Sequence, residues 1–336
     1  MSIKTIDLDG TTTCICKSPL QAQLLINIIL RYKIKPVVFY FGGDESPRTL
    51  NYLEKIKKLS KQVYFINLEK KRTWQVLLEL APLLLRHRAG TNNLILASFN
   101  SFYPQVVAGL LKPNAIGLFD DGSFSILSDL DRAPYLKKTI GGLFYNLALH
   151  VLGIETNPRR LLKSVSFFLT IFPRIQTLVA RSMVIPMEMN YEKTKPIASP
   201  LEGTITFYAG DVREELSEEL KALEDRILEL PEINYLLPHP RTVIEPKHRN
   251  KALSIDIIAE EYINQILSSG WSVNLVSLNS TVLWTAPRHP KLNRIIVQSK
   301  TLKMNLPSLG KHLTIRKIKS VDPAMLPRTL GSNKIN

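Results

Sequence analysis

Cysteine is nearly missing from this sequence: Cys14 and Cys16 are the two among 336 residues. On a strand they point the same way, a geometry that suits neither a disulfide nor a complete zinc site. They are therefore expected to be core thiols in a reducing compartment. Long apolar runs are missing too, for no stretch reaches the ~20 residues that a membrane-spanning helix needs. The most apolar stretch, residues 165–172, is followed by Pro173 and is short enough to be a buried strand or an interfacial segment. The first residues, among them Ser2, Lys4, Asp7 and Asp9, are polar and hold no signal-peptide apolar core, which points away from export. Internal repeats and low-complexity segments are not found. Acidic side chains are absent from one long segment: residues 288–319 carry nine Lys or Arg and no Asp or Glu.

What is present is an ordinary globular balance of 45% hydrophobic and 22% charged residues, in a chain long enough for two domains with a core each. The net charge of +15 calls for a partner or a surface. Nucleic acid is not expected, because the basic segment lacks interleaved aromatics or a recognisable binding module. An anionic membrane leaflet accounts for the same charge, each basic residue near it contributing roughly 1 kcal/mol. A merely solvated basic face also fits.

The first half alternates short apolar runs with amphipathic stretches. Strands are expected at 12–16, 37–41, 63–66, 94–97 and 115–119, and helices at 21–31, 49–59, 74–85 and 103–111. Such alternation predicts a parallel sheet covered on both faces, with ligand-binding residues at the carboxyl ends of the strands. Residues 190–203 have the composition of a linker. A second alternating unit follows, with strands at 204–208, 234–237 and 273–276 and helices at 214–230 and 257–267. Asp211 is the expected cap of the first of these helices. The domains are thus expected at 1–195 and 196–336.

Three signals fall after predicted strands. Asp120-Asp121-Gly122 follows 115–119; adjacent carboxylates repel, so one can keep a raised pKa and act as a general base, and Gly122 permits a tight turn. An ordinary acidic turn fits the same residues. Pro238-His239-Pro240 follows 234–237, where the prolines restrict the backbone and a protonated imidazole can stabilise a departing phosphate. Asn279-Ser280-Thr281 follows 273–276 and offers hydroxyls and N–H groups to an anion. His289-Pro290 has no apolar strand before it and is read as coincidental. His87, His150, His248 and His312 are read as surface or satisfied histidines.

The ordered set Asp-Asp-Gly, His-Pro and Ser-Thr resembles bacterial sialyltransferases, and within them glycosyltransferase family 52, the lipooligosaccharide sialyltransferase group. Cys16-Lys17-Ser18-Pro19-Leu20-Gln21 is similar to the family's opening strand and Pro-Leu-Gln turn. Ser166 to Pro173 is similar to its mid-chain aromatic segment, and Ala259-Glu260-Glu261-Tyr262-Ile263 to the helix between its later motifs. The resemblance touches residues 12 to about 285 and nothing from Arg288 onward; Thr281 stands where many members have serine. It implies a GT-B type α/β fold of two Rossmann-like domains facing across a cleft, the N-terminal one for acceptor and the C-terminal one for donor. It also implies single-displacement inverting transfer from CMP-sialic acid to a galactose-terminated glycan of lipooligosaccharide or capsule, with no metal or other cofactor required. Asp120 would be the base and His239 the acid; Ser280 and Thr281 would grip the CMP phosphate and Glu260 or Glu261 the ribose. Ser18, Pro19, Gln21, Asp121, Gly122, Gly210 and Pro240 complete the expected substrate contacts. The expected location is cytoplasmic, peripheral at the inner face of the bacterial inner membrane, and a homodimer is possible.

Three other readings remain open at this level. One is a member of the same family with another sugar donor such as glucose. In the second, Ile6-Asp7-Leu8-Asp9-Gly10-Thr11 matches the aspartyl-phosphate loop of haloacid-dehalogenase-type phosphohydrolases, with Asp7 as nucleophile and Asp120-Asp121 as magnesium ligands. A non-enzymatic basic protein binding membrane or nucleic acid is the third.

Overall fold

The structure, a computed structural model, describes residues 10–43, 45–99, 101–121, 157–173, 179–191, 203–298 and 318–331, with residues 6, 8, 147, 150, 151 and 153–155. The chain forms two compact units, Met1–Asn190 and Tyr191–Asn336. Asp7, Asp9, Gly122, His312 and most of the expected linker and basic segment lie outside the described residues.

In the first unit β1 (Thr12–Cys16), β2 (Val37–Gly42), β3 (Gln62–Asn67), β4 (Asn93–Leu96), β5 (Ala115–Phe119), β6 (Val165–Thr170) and β7 (Val184–Pro186) form one sheet in the order β3-β2-β1-β4-β5-β6-β7. Every pairing is parallel. Strands 1, 2 and 4 are buried at every residue, as a sheet covered on both faces requires. The helices α1 (Pro19–Tyr32), α2 (Pro47–Leu59), α3 (Thr73–Arg88), α4 (Phe102–Leu111) and α5 (Pro158–Lys163) lie between strands. Two of them start at a serine cap followed by proline: Ser18 accepts from the Gln21 N–H and Ser46 from the Thr49 N–H, and proline at the first helical position needs no partner for an N–H it lacks. Cys14 and Cys16 are free and buried in β1, where burial pushes both thiols up.

The aromatic stretch 165–172 is β6 with the two residues that follow it, not an interfacial segment: Phe167, Phe168, Leu169, Ile171 and Phe172 are all buried. Phe168 joins Phe39, Leu94 and Leu118 in a core that α3 covers with Val76, Leu80 and Leu84. β6 meets β5 through an irregular register beside Gly117, where an added Cβ would stand 2.1 Å from the Phe167 ring. Only glycine lets that ring lie against the neighbouring strand.

The second unit holds β8 (Thr204–Ala209), β9 (Tyr235–Leu237), β10 (Ser272–Ser277), β11 (Leu292–Val297) and β12 (Ile318–Val321) in the order β12-β11-β10-β8-β9, again all parallel. Its helices are α6 (Glu218–Glu229), α7 (Ala259–Ser268), α8 (Val282–Thr285) and α9 (Leu326–Gly331). The helix expected at 214–230 starts later. Arg213–Glu215 is a single 3-10 turn, Leu216 is extended, and Ser217 rather than Asp211 caps α6. The cause is Arg213, whose guanidinium is drawn into ion pairs with Glu224, Asp225 and Glu245. Tyr208, Leu223, Ile227, Val276 and Ile295 form the core beneath α6.

Candidate active site

Both sheets reverse their strand order once, and ligands of open α/β sheets bind at the carboxyl ends of strands at such a reversal. In the first unit the reversal lies between β1 and β4. Lys17 and Ser18 follow β1, Ser98 and Ser101 follow β4, and Asp120 and Asp121 follow the adjacent β5. Gln21 joins these loops: its carbonyl accepts from the Lys17 N–H at 2.8 Å and its amide donates to Asp121 Oδ1. Ser98 Oγ donates to Asp121 Oδ2 at 2.8 Å, and the Lys17 ammonium donates to Ser101 Oγ. Burial pulls Lys17 below its ordinary value, while the nearby Asp121 charge opposes that shift. The Ser-Pro-Leu-Gln turn thus has a mechanical purpose: Ser18 and Pro19 begin α1, and the helix's first turn aims Gln21 at Asp121.

The two adjacent aspartates have different surroundings. Asp120 is fully buried and turned toward the end of β6, accepting from Thr170 Oγ1 at 2.9 Å and from the Ile171 N–H at 2.6 Å. Asp121 is half-buried and belongs to the cluster at the sheet's reversal point.

In the second unit the reversal lies between β8 and β10. Gly210 and Asp211 leave β8; Asn279, Ser280 and Thr281 leave β10; Pro238, His239 and Pro240 leave the adjacent β9. Asp211 bridges the reversal by accepting the Asn279 N–H at 3.1 Å. Burial pushes its carboxyl up to about 7 against the pull of that bond, and Glu224 adds to the rise. Sequence reasoning read Asp211 as a helix cap; its position at the carboxyl end of β8 was the available signal. Gly210 donates its N–H to Leu237 O at 3.0 Å, and a Cβ there would lie 3.7 Å from the His239 nitrogen. Gly210, Asp211, Arg213, Pro238, His239 and Thr242 line one pocket. Thr242 Oγ1 donates to Asp211 O at 2.9 Å and accepts from the Arg213 N–H at 3.1 Å, tying the His-Pro loop to the loop after β8.

His239 Nδ1 accepts the Arg241 N–H at 3.2 Å. That bond leaves the proton of the neutral ring on Nε2, the nitrogen that would donate to a ligand. His289 makes the same local bond, from the Lys291 N–H at 3.2 Å, but it precedes β11 and so lies at the amino ends of the strands. Burial holds His289 below its ordinary value. His87 bonds the Tyr64 hydroxyl and His248 bonds Asp225. Asp225, Glu245 and His248 sit close enough to hold a metal ion, yet Arg213 and Lys247 already bond these carboxylates. Burial opposes ionisation of Asp225, but its bonds from Lys247, His248 and Arg213 win and hold it well below the usual range.

Ser280 is buried, with its N–H on Ser277 Oγ at 2.9 Å, and Thr281 begins the turn into α8. Glu260 and Glu261, in the first turn of α7, are buried, and the Thr285 hydroxyl of α8 donates to Glu260. The expected residues therefore form two groups: Ser18, Pro19, Gln21 and Asp121 in the first unit, and Gly210, His239, Pro240, Ser280 and Thr281 with the Glu260–Thr285 pair in the second. Asp120 stands apart from its group in burial and partners.

Residues 35–301 match the profile of glycosyltransferase family 52. The chain belongs to glycosyltransferase family 52. The match passes Arg288, so the beginning of the basic segment is part of this glycosyltransferase and not an appendage to it. Membership also sets aside the phosphohydrolase reading built on Asp7 and Asp9. No curated protein matches the chain. Among solved structures, a UDP-N-acetylglucosamine 2-epimerase from Listeria monocytogenes is similar at 10% identity and a TM-score of 0.59, over 96% of this chain and 88% of that one. The glycosyltransferase SnogD from Streptomyces nogalater is similar at 10% identity and a TM-score of 0.51, over 94% and 88%. Likeness at that identity speaks for the fold alone, and the fold of this family 52 glycosyltransferase is of the GT-B class. Among the described residues no helix is long and apolar enough to cross a membrane.

Proposed function

We propose that this glycosyltransferase moves sialic acid from CMP-sialic acid to a galactose-type hydroxyl of a bacterial surface glycan, lipooligosaccharide or capsule, with inversion. The observation that carries the reading is the group at the second reversal point, where His239, its Nδ1 occupied, lines a pocket with Gly210 and Asp211, and Asp211 holds the N–H of Asn279 beside Ser280. The acceptor oxygen attacks the anomeric carbon as the bond from that carbon to the CMP phosphate oxygen breaks. The donor's β linkage thereby becomes α, and CMP departs with the bonding pair. His239 Nε2–H and the hydroxyls of Ser280 and Thr281 meet the charge gathering on the phosphate, and the Glu260–Glu261 pair serves the ribose. In this scheme the protein's own N–H and hydroxyl donors do the work at the leaving group, and no metal enters.

The acceptor's proton goes to a carboxylate. Asp121 fits that task better than Asp120, since Gln21 and Ser98 hold it at the sheet's reversal while Asp120 is spent on β6. Asp120 then positions its neighbour. Asp211 favours a second reading of the base, because its carboxyl is poised at about 7 in the pocket that His239 lines, and a base works best near the operating pH. On either reading the enzyme meets its acceptor at the inner face of the membrane.

The test is transfer itself. The purified chain, given CMP-sialic acid and a galactose-terminated oligosaccharide in excess chelator, should form an α-linked sialoside and release CMP. Transfer from UDP-glucose in its place would overturn the donor assignment, and loss of turnover in chelator would overturn the scheme at the phosphate.

A further inference from the structure

α3 is apolar on both sides. Val76, Leu80 and Leu84 face inward and are buried in the sheet's core. Trp74, Leu78, Pro82 and Leu85 recur at helical spacing on the opposite side, where the three large ones are 47%, 67% and 57% exposed. A helix apolar all round is ordinarily buried all round. Here the outer stripe is left in water, next to exposed basic residues at both ends: Arg72 at the start, and Arg86 and Arg88 in the last turn. Lys70 and Lys71 stand there too, each paired with an acid, Glu45 and Glu79. Arg86 and Arg88 also suit the negative end of the helix dipole, but that accounts neither for Arg72 nor for an outward tryptophan.

We propose that this outward face of α3 docks peripherally on an anionic lipid surface, with Trp74, Leu78 and Leu85 entering the headgroup boundary and Arg72, Arg86 and Arg88 meeting lipid phosphates. Charge complementarity selects the occupant: apolar side chains bounded by arginines match a surface whose headgroups are negative and whose interior is apolar. A second copy of a chain with net charge +15 would bring arginine against arginine. The inference rests on this surface and not on the donor sugar. It stands apart from the segments that the sequence pointed to: Phe167 to Phe172 are core, and residues 299–317 of the basic segment lie outside the described residues.

The test is sedimentation of the full-length protein with vesicles of phosphatidylcholine alone and with about 30% phosphatidylglycerol, at low and raised salt. Binding is expected on the anionic vesicles only, weakening as salt screens the charges. Replacing Trp74, Leu78 and Leu85 by serine should lower the partition constant at least ~10-fold, as burial of apolar area predicts. These residues point away from the core, so folding should survive. Two further readouts do not depend on that variant. Arg86→Gln with Arg88→Gln should weaken binding several-fold and flatten its salt dependence. Brominated lipid should quench a part of the tryptophan emission that vanishes in Trp74→Phe, because Trp284 is buried and Trp271 packs against Gly203. Three results would overturn the proposal: no binding to anionic vesicles at low salt, serine and glutamine variants that bind like the native chain, or a native dimer that the serine substitutions dissociate without any vesicle binding. A chain with no turnover that still binds vesicles through α3 would fail the proposed function and leave this proposal standing.

Discussion

At the scale of single residues, neighbours of the same type have been given different tasks by the strands they touch. Asp120 and Asp121 are adjacent in sequence, yet one holds Thr170 and Ile171 of the β6 end while the other is held by Gln21 and Ser98. Asp121→Asn is expected to cut transfer by about 10²–10⁴, the usual cost of losing a general base, with the unfolding midpoint nearly unchanged. Asp120→Asn should do the reverse, lowering the midpoint while most turnover per folded molecule survives. Unfolding curves and kcat on both variants decide it, and the opposite pattern would return the base to Asp120. Asp211 carries a separate prediction. Its folded value of about 7 lies above the ordinary 3.8, so the folded state holds a proton that the unfolded chain releases. Stability from this group is complete below about pH 4 and is lost as pH rises through about 7, at a slope of about 1.4 kcal/mol for each pH step of one. Asp211→Asn cannot ionise and keeps an oxygen for the Asn279 N–H. Its stability relative to the native chain should therefore rise between about pH 5 and about pH 8 in urea titrations. An equal difference at both pH values would show that Asp211 titrates normally.

At the scale of elements, local pattern was legible wherever one face or one cap decided the structure. β1 and β5 are found where the apolar runs predicted them, and Ser18-Pro19 and Ser46-Pro47 open α1 and α2 as cap chemistry requires. The His-Pro and Ser-Thr signals were readable because a strand precedes each. What remained hidden depended on contacts distant in sequence. Arg213 breaks the start of α6 by reaching Glu245, thirty-two residues on. No local signal separates Asp120 from Asp121, since their partners lie on β6, on α1 and beyond β4. The outward stripe of α3 was equally illegible, because sequence period shows an apolar face without showing what covers it. The β5–β6 contact gives the element-scale prediction. Gly117→Ala drives a methyl into the Phe167 ring, 2.1 Å away, and should cost about 1–3 kcal/mol as overpacked cores do. Urea unfolding would measure it, and an unchanged midpoint would mean that β5 and β6 can part without cost.

At the scale of the whole molecule, two parallel sheets each present one reversal point, and chemistry-bearing side chains collect at both. The first collects a carboxylate, an amide and a half-buried lysine; the second collects a histidine, hydroxyls and a carboxyl poised near neutrality. Both collections stand where open α/β sheets bind their ligands. The membership in family 52 fixes the reaction class, and the nucleotide is where the account is most exposed. The deciding measurement is the thermal unfolding midpoint of the native chain with CMP, UDP and GDP, repeated on His239→Ala and His289→Ala. CMP at a hundredfold excess over its Kd should raise the native midpoint by about 3 °C or more, UDP and GDP should leave it in place, and the rise should vanish in His239→Ala and persist in His289→Ala. A rise with UDP or GDP and none with CMP, or a CMP response that depends on His289 and not on His239, would contradict the account.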